Sequence, residues 1–230
     1  MAIIKDFIFD YQRKQCLQQA KSSDAISQYL SQTSISENSL IKDLEFLVLD
    51  FETTGLNAKT DKIISLGYVV IKDLHLLPAS STHILVNPKQ QLSEENVGIH
   101  QITDNELKSG IRLDLALDQL LHEMTGRVVI VHFDLIEKSF INQACGRFYK
   151  IKSLPMKMLD TLRIEQNKVR YTHSYVKQES LRLYALRDRY NLPRYKAHNA
   201  LQDAISTAEL FLAQIEHFGD KDNIRLKQLN

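Results

Sequence analysis

The 230-residue chain holds only two cysteines, Cys16 and Cys145. Two cysteines this far apart, in no metal-ligand spacing, exclude a disulfide framework and a cysteine-ligated zinc site. Free thiols in a reducing cytoplasm are the expectation, and with them a cytoplasmic protein. Long hydrophobic runs are also missing: no stretch reaches the roughly 18 apolar residues of a membrane span. The start, Met1-Ala2-Ile3-Ile4-Lys5-Asp6, meets charge too soon for a signal peptide. There is no internal repeat and no low-complexity segment. Net charge is nearly absent at +1, so the overall field does not by itself indicate a polyanionic partner. The composition is 43% hydrophobic and 25% charged, that of a globular chain long enough for one domain with a sizeable core.

The charge that is present is unevenly placed. Residues 1–146 hold 13 Lys/Arg against 19 Asp/Glu, whereas residues 147–196 hold 13 against 4, a local net of +9. A basic segment in an otherwise acidic chain suits a polyanion held near metal ions. Lys168, Arg170, Lys177, Arg182, Arg187, Arg189, Arg194 and Lys196 are the candidates for phosphate contact. A solvated, arginine-rich helical face is the alternative for any one of them. Tyr171, Tyr175, Tyr184, Tyr190 and Tyr195 interleave with these charges and are candidates for stacking on bases or for packing.

The most informative stretch is Phe46-Leu47-Val48-Leu49-Asp50-Phe51-Glu52-Thr53-Thr54-Gly55-Leu56. The apolar run reads as a buried strand. On a strand, i and i+2 share a face about 6.6 Å apart, so Asp50 and Glu52 project together. Two adjacent carboxylates at the end of a core strand repel unless cations compensate them, and hard divalent cations such as Mg²⁺ or Mn²⁺ are the natural compensation. The alternative is a strand that ends in two solvated acids.

Downstream, His198-Asn199-Ala200-Leu201-Gln202-Asp203 precedes an amphipathic helix. Asn199 is a plausible N-cap, with Gln202 at the third helical position. His198 then stands on the loop before the helix and Asp203 near the end of its first turn. Between these two regions, Arg127-Val128-Val129-Ile130-Val131 reads as another buried strand, followed by His132-Phe133-Asp134-Leu135-Ile136-Glu137 and a helix with Phe140, Ile141, Ala144 and Phe148 inward. Glu137 falls on that inward stripe. Asp134 reads as an N-cap, and the Asp134/Glu137 spacing also fits a capping box.

Together these three elements resemble the DEDDh family of 3′–5′ exonucleases, the family of the proofreading epsilon subunit of bacterial DNA polymerase III. The family pattern is Asp-x-Glu on the first strand, an acid after a later strand, and His-x4-Asp near the C-terminus. Supporting matches are Thr53-Thr54-Gly55-Leu56, Gly98-Ile99-His100-Gln101-Ile102-Thr103 and Leu159-Asp160-Thr161-Leu162, so the resemblance runs from about Glu45 to Phe218. Many members carry His-Asn-x-x-Phe-Asp at the middle motif. Aligned on His132, the family's Asp falls on Glu137, which is preferred here over Asp134 as the fourth acid.

The resemblance implies two Mg²⁺ or Mn²⁺ ions about 3.5–4 Å apart that clamp the attacking and leaving oxygens. Asp50, Glu52, Glu137 and Asp203 would hold them, with His198 as general base. Thr53, Thr54, Gly55, Leu56 and His100 would contact the terminal nucleotide, Thr53 and Thr54 through their backbone and Leu56 as a wedge. Asp160 reads as a helix N-cap. The expected substrate is the 3′ end of DNA, single-stranded or frayed, cut to nucleoside 5′-monophosphates in proofreading or repair. RNA trimming is the near alternative, a catalytically weak binding module a more distant one, and a DNA polymerase or repair partner is possible.

The order of elements indicates an α/β fold, and the resemblance implies a ribonuclease H-like mixed sheet of about five strands with helices on both faces. Residues 1–44 read as a helical extension and 45–218 as the exonuclease domain, with 219–230 a short tail. Strands are expected at 45–52, 62–72, 82–87, 128–132 and near 156–160. Helices are expected at 113–124, 135–148, 179–190 and 200–217, and residues 166–178 read as irregular.

Overall fold

The computed structural model describes residues 2–20, 23–89, 102–171, 178–196 and 198–229. The strand expected to be most buried, β1 (Phe46–Thr53), lies at the centre of a five-stranded sheet. β2 (Ile63–Lys72) pairs antiparallel with β1, and β3 (His75–Leu85) pairs antiparallel with β2 at the edge. On the other side, β4 (Val128–Val131) and β5 (Met158–Asp160) run parallel, giving the order β3-β2-β1-β4-β5. The fold class is therefore the mixed α/β sheet anticipated.

Alternation along β1 divides the core in two. Leu47, Leu49 and Phe51 face one cluster, built with α2 (Asp24–Ser31), α4 (Leu113–Met124) and α5 (Leu135–Tyr149). Phe46 and Val48 face the other, against α8 (Ala200–Glu216) and the buried Ile224, Leu226 and Leu229. There Phe46 and Phe211 pack with ring centroids 5.3 Å apart. The remaining described helices are α1 (Ala2–Gln19), α3 (Asp104–Lys108), α6 (Thr161–Tyr171) and α7 (Leu183–Arg189).

Both ends of the chain are fastened down. Asp6 of α1 accepts from Ser36 Oγ (2.7 Å) and from Lys157 Nζ (3.1 Å), and Arg13 donates to the Tyr29 carbonyl. Residues 37–41 pair with 224–227 through Ile41 N to Ile224 O, Leu226 N to Ser39 O and Lys227 N to Glu37 O.

Three expectations need correction. β3 begins at His75, not at 82, because Asp73 and Leu74 both take positive φ and make a tight hairpin that returns the chain at once. Its polar residues and Pro78 are tolerated because it is an edge strand. Residues 166–171 are helical, the second half of α6. The expected helix at 179–190 is a 3₁₀ turn, Gln178–Leu181, followed by the short α7.

Candidate active site

Asp50 and Glu52 alternate with Phe46 and Val48, so both lie on the α8 face of the sheet, at the C-terminal end of β1. α8 starts where expected: Asn199 caps it, its side chain accepting from Gln202 N at 3.1 Å. The cap places Asp203 in the first turn, where its Oδ2 accepts the His198 N–H at 2.9 Å. His198 takes a φ of 70°, which turns the chain out of the helix axis just before the cap.

What lets this first turn reach β1 is Gly67. It is paired with Asp50 across β1 and β2, and a methyl group there would overlap the backbone of Ala200 and Leu201. With only hydrogen at that position the helix start lies directly on the sheet. One carboxylate oxygen each from Asp50, Glu52 and Asp203 then falls within 4.8 Å of the others.

Glu137 approaches from the opposite layer. It sits in the first turn of α5 and is 3% exposed, and its Oε2 is buried with no hydrogen-bond partner among the described residues. Burial, followed by the charges of Asp160 and Asp134, pushes its carboxyl up to about 8, while the amides of Glu137 itself and Phe51 pull in the other direction. Asp50 is raised well above the ordinary carboxylate value, by burial first and then by Glu137, Asp203 and Glu52. Asp203 is raised too, by burial and then by Glu52. Asp50, Glu52 and Asp203 form a hard, oxygen-only donor set that fits a divalent cation, and the orphaned oxygen of Glu137 lies outside that 4.8 Å group.

Asp134 occupies the N-cap position of α5 but makes no capping bond, because its backbone is already helical there. Its carboxylate instead takes Arg163 Nη2 at 2.8 Å. Asp160 does more than begin a helix. Its Oδ1 accepts from Leu162 N and Phe133 N, both at 2.9 Å, and its Oδ2 from Asp134 N at 3.2 Å.

A cleft of about 580 Å³ opens over the cluster, lined by Asp50, Asp203, His198, His132, Arg182 and Tyr184 among others. His132 served in the sequence only as an anchor for the motif. In the fold its Nε2 bonds the Leu181 carbonyl at 3.0 Å and its Nδ1 meets Thr161 Oγ1 at 2.8 Å. It thereby ties β4 to α6 and to the 3₁₀ turn that leads into the cleft wall. Burial lowers its pKa. The signal available in sequence was a histidine closing a fully apolar strand.

A family model described as "Exonuclease" (RNase T) matches residues 47–211, most of the chain and the whole of this cluster. The chain belongs to the exonuclease family.

This exonuclease domain is similar to a polymerase and to solved nucleases. It is 28% identical over 185 residues to the PolC-type DNA polymerase III of Thermotoga petrophila, covering 79% of this chain. The chain spans only 13% of that relative's length. Its fold matches the nuclease domain of 3′hExo, a DEDDh family member bound to rAMP, with a TM-score of 0.62 at 16% identity, covering 79% of this chain and 94% of that one. It also matches Exonuclease X in complex with 5′-overhanging duplex DNA, with a TM-score of 0.58 at 18% identity, covering 80% and 98%. No described helix of the exonuclease is long and apolar enough to cross a membrane.

The expected substrate contacts divide. Leu56 is 78% exposed on the turn beyond β1, free of the core. Thr53 is buried and its hydroxyl donates to Gly55 O at 2.8 Å. The Thr54 amide donates to Lys62 O at 2.9 Å, so this expected backbone donor is spent on holding the turn. Gly55 lies against the Asp61 carboxylate, too close for a side chain without displacing it. His100 lies outside the described residues, as do the side chains of Arg170, Tyr171, Tyr175 and Lys177.

Several of the basic candidates prove structural. Arg187 is buried and donates to Ser206 O (2.6 Å), Pro193 O (2.7 Å) and Glu209 Oε2 (2.7 Å). Arg189 pairs with Glu165 at 2.9 Å and Lys168 donates to Tyr190 Oη at 3.1 Å, whereas Arg194 pairs with Asp188 at 2.6 Å but stays exposed in the cleft wall. Tyr190 and Tyr195 are likewise held by Glu165 and Glu209. Arg182 and Tyr184 remain exposed in the cleft wall.

Proposed function

We propose that the domain is a metal-dependent exonuclease that removes nucleoside 5′-monophosphates from the 3′ end of DNA, single-stranded or frayed, in proofreading or repair. The observation that carries this reading is the convergence of Asp50, Glu52 and Asp203 within 4.8 Å beside His198 in one cleft. Two Mg²⁺ or Mn²⁺ ions are the proposed cofactors, which Asp50, Glu52, Asp203 and Glu137 would hold. When bound, such ions neutralise the phosphate and the developing charge on the leaving oxygen.

His198 acts as general base. Its ring, on a loop at the mouth of the cleft, takes the proton of the attacking water. Asp203 holds the His198 backbone in place through the 2.9 Å bond. Leu56, exposed beyond β1, wedges against the terminal bases. Arg182 in the cleft wall takes a backbone phosphate. A polymerase partner is proposed from the PolC relationship, and residues 1–44 are proposed as an extension to the exonuclease domain at 45–218.

The test is degradation of a 5′-labelled single-stranded DNA oligonucleotide with Mg²⁺ or Mn²⁺, beside a matched RNA strand and an EDTA control. A ladder shortening from the 3′ end, lost in Asp50→Ala and His198→Ala, is expected. Full activity in either variant, or activity in EDTA, overturns the reading. Faster loss of the RNA strand would reassign the substrate to RNA, because the 2′-hydroxyl separates the two.

A further inference from the structure

We propose that Phe133 is a base-stacking residue that holds the substrate strand at the mouth of the site. The inference rests on the exonuclease reading and adds a specificity-determining group to it. Phe133 has a φ of 75°, a region that glycine and asparagine enter readily and a bulky side chain rarely does. It is 42% exposed, although Val128, Val129, Ile130 and Val131 just before it are all buried. It belongs to none of the hydrophobic clusters among the described residues.

The conformation is enforced. The Asp160 carboxylate grips two successive amides, Phe133 N–H at 2.9 Å and Asp134 N–H at 3.2 Å. A buried carboxylate 27 residues away in sequence thus fixes the turn that throws the ring outward, and burial of the ring contributes little in return. Strained backbone that persists under such outside constraint gathers at functional sites.

The position indicates what the ring meets. β1 and β4 run parallel and in register from Phe46↔Val128 to Val48↔Ile130. β4 then ends at Val131, two residues before Phe133. Phe133 therefore leaves the same C-terminal end of the parallel strands that carries Asp50 and Glu52, directly after a residue that lines the cleft. An exposed aromatic face beside a phosphodiester-cleaving cluster suits a nucleobase, since stacking on an aromatic ring tolerates every base.

The test is steady-state hydrolysis of a 5′-labelled single-stranded dodecanucleotide by wild type, Phe133→Asn and Phe133→Trp. A parallel series of strands carries one abasic residue at each of the last four 3′ positions. Asparagine suits the positive φ and removes the ring, and tryptophan keeps an aromatic face. The expected result for Phe133→Asn is a KM raised about tenfold with kcat within about twofold, recovered in Phe133→Trp. Its melting temperature should equal or exceed that of wild type. One abasic position should cost wild type a similar factor in KM and cost Phe133→Asn little more.

An unchanged KM in Phe133→Asn overturns the proposal, as does a penalty that is the same on intact strands and on every abasic strand. A lowered melting temperature with no recovery in Phe133→Trp overturns it too, by assigning the ring to packing. Wild type that hydrolyses none of the strands refutes the exonuclease reading, and this inference with it, an outcome distinct from active wild type with an indifferent Phe133.

Discussion

Removing the charge at Glu137 should stabilise the metal-free protein in mild alkali. The Glu137 carboxyl is buried and raised from 4.5 to about 8. The folded state therefore holds a proton there that the unfolded chain releases near 4.5. Stability from this proton is complete below 4.5 and is lost as pH rises through about 8. Between pH 7 and 8.5 the linkage amounts to about 1 kcal/mol. For a chain of this size that is a fall of about 2–4 °C in melting temperature. The raised carboxyls of Asp50 and Asp203 act in the same direction. The lowered pKa of His132 acts only below its ordinary 6.5, outside this window. Thermal unfolding in chelator-treated buffer at pH 7 and 8.5, for wild type and Glu137→Gln, measures the effect. Wild type should lose those few degrees and the variant less. Mg²⁺ should raise the wild-type melting temperature more at pH 8.5 than at 7, because cations and protons compete for the same oxygens. Equal losses in wild type and Glu137→Gln would refute the reasoning.

Gly67→Ala should displace the start of α8 from the sheet, costing about 3 kcal/mol or more by overpacking against backbone that cannot rotate away. Metal-dependent cleavage should fall further than stability alone explains, as shown by weakened Mn²⁺ binding in the fraction that remains folded. Arg187→Met should destabilise by about 3 kcal/mol, measured by urea unfolding, because it removes the cationic partner of Glu209 and the donor to two carbonyls. Arg182→Ala should leave the melting temperature alone, raise KM, and reduce the slope of log affinity against log salt by about 0.7, the share of one single-strand phosphate.

The parts legible in the sequence are those specified by local pattern. β1 could be read because its run is apolar on both faces, and Asp50 and Glu52 followed from strand alternation alone. The start of α8 could be read because Asn199 has the chemistry of a cap, which in turn placed His198 outside the helix and Asp203 inside it. Glu137 stood out as a charge on an apolar stripe. What escaped depends on partners far along the chain. Arg187 looks like one more exposed cation until Glu209 and the Pro193 carbonyl close around it. β3 lacks alternation because the sheet edge demands none, so its first seven residues carried no signal. The Thr54 amide seemed available until Lys62 returned to occupy it. Gly67 within a strand suggested nothing in particular, because its reason lies in a helix that begins 133 residues later.

That separation has a consequence for how the protein is made. Two of the clustered acids, Asp50 and Glu52, are made with β1, and the third, Asp203, is made only with α8. A nascent chain can pair β1 with β2 and β3 long before α8 exists to lie across Gly67. Until then the sheet carries repelling carboxylates and no complete cage for a cation. The cluster therefore stays incomplete until α8 has been made, and the step that completes it is the docking of one late helix onto one missing side chain.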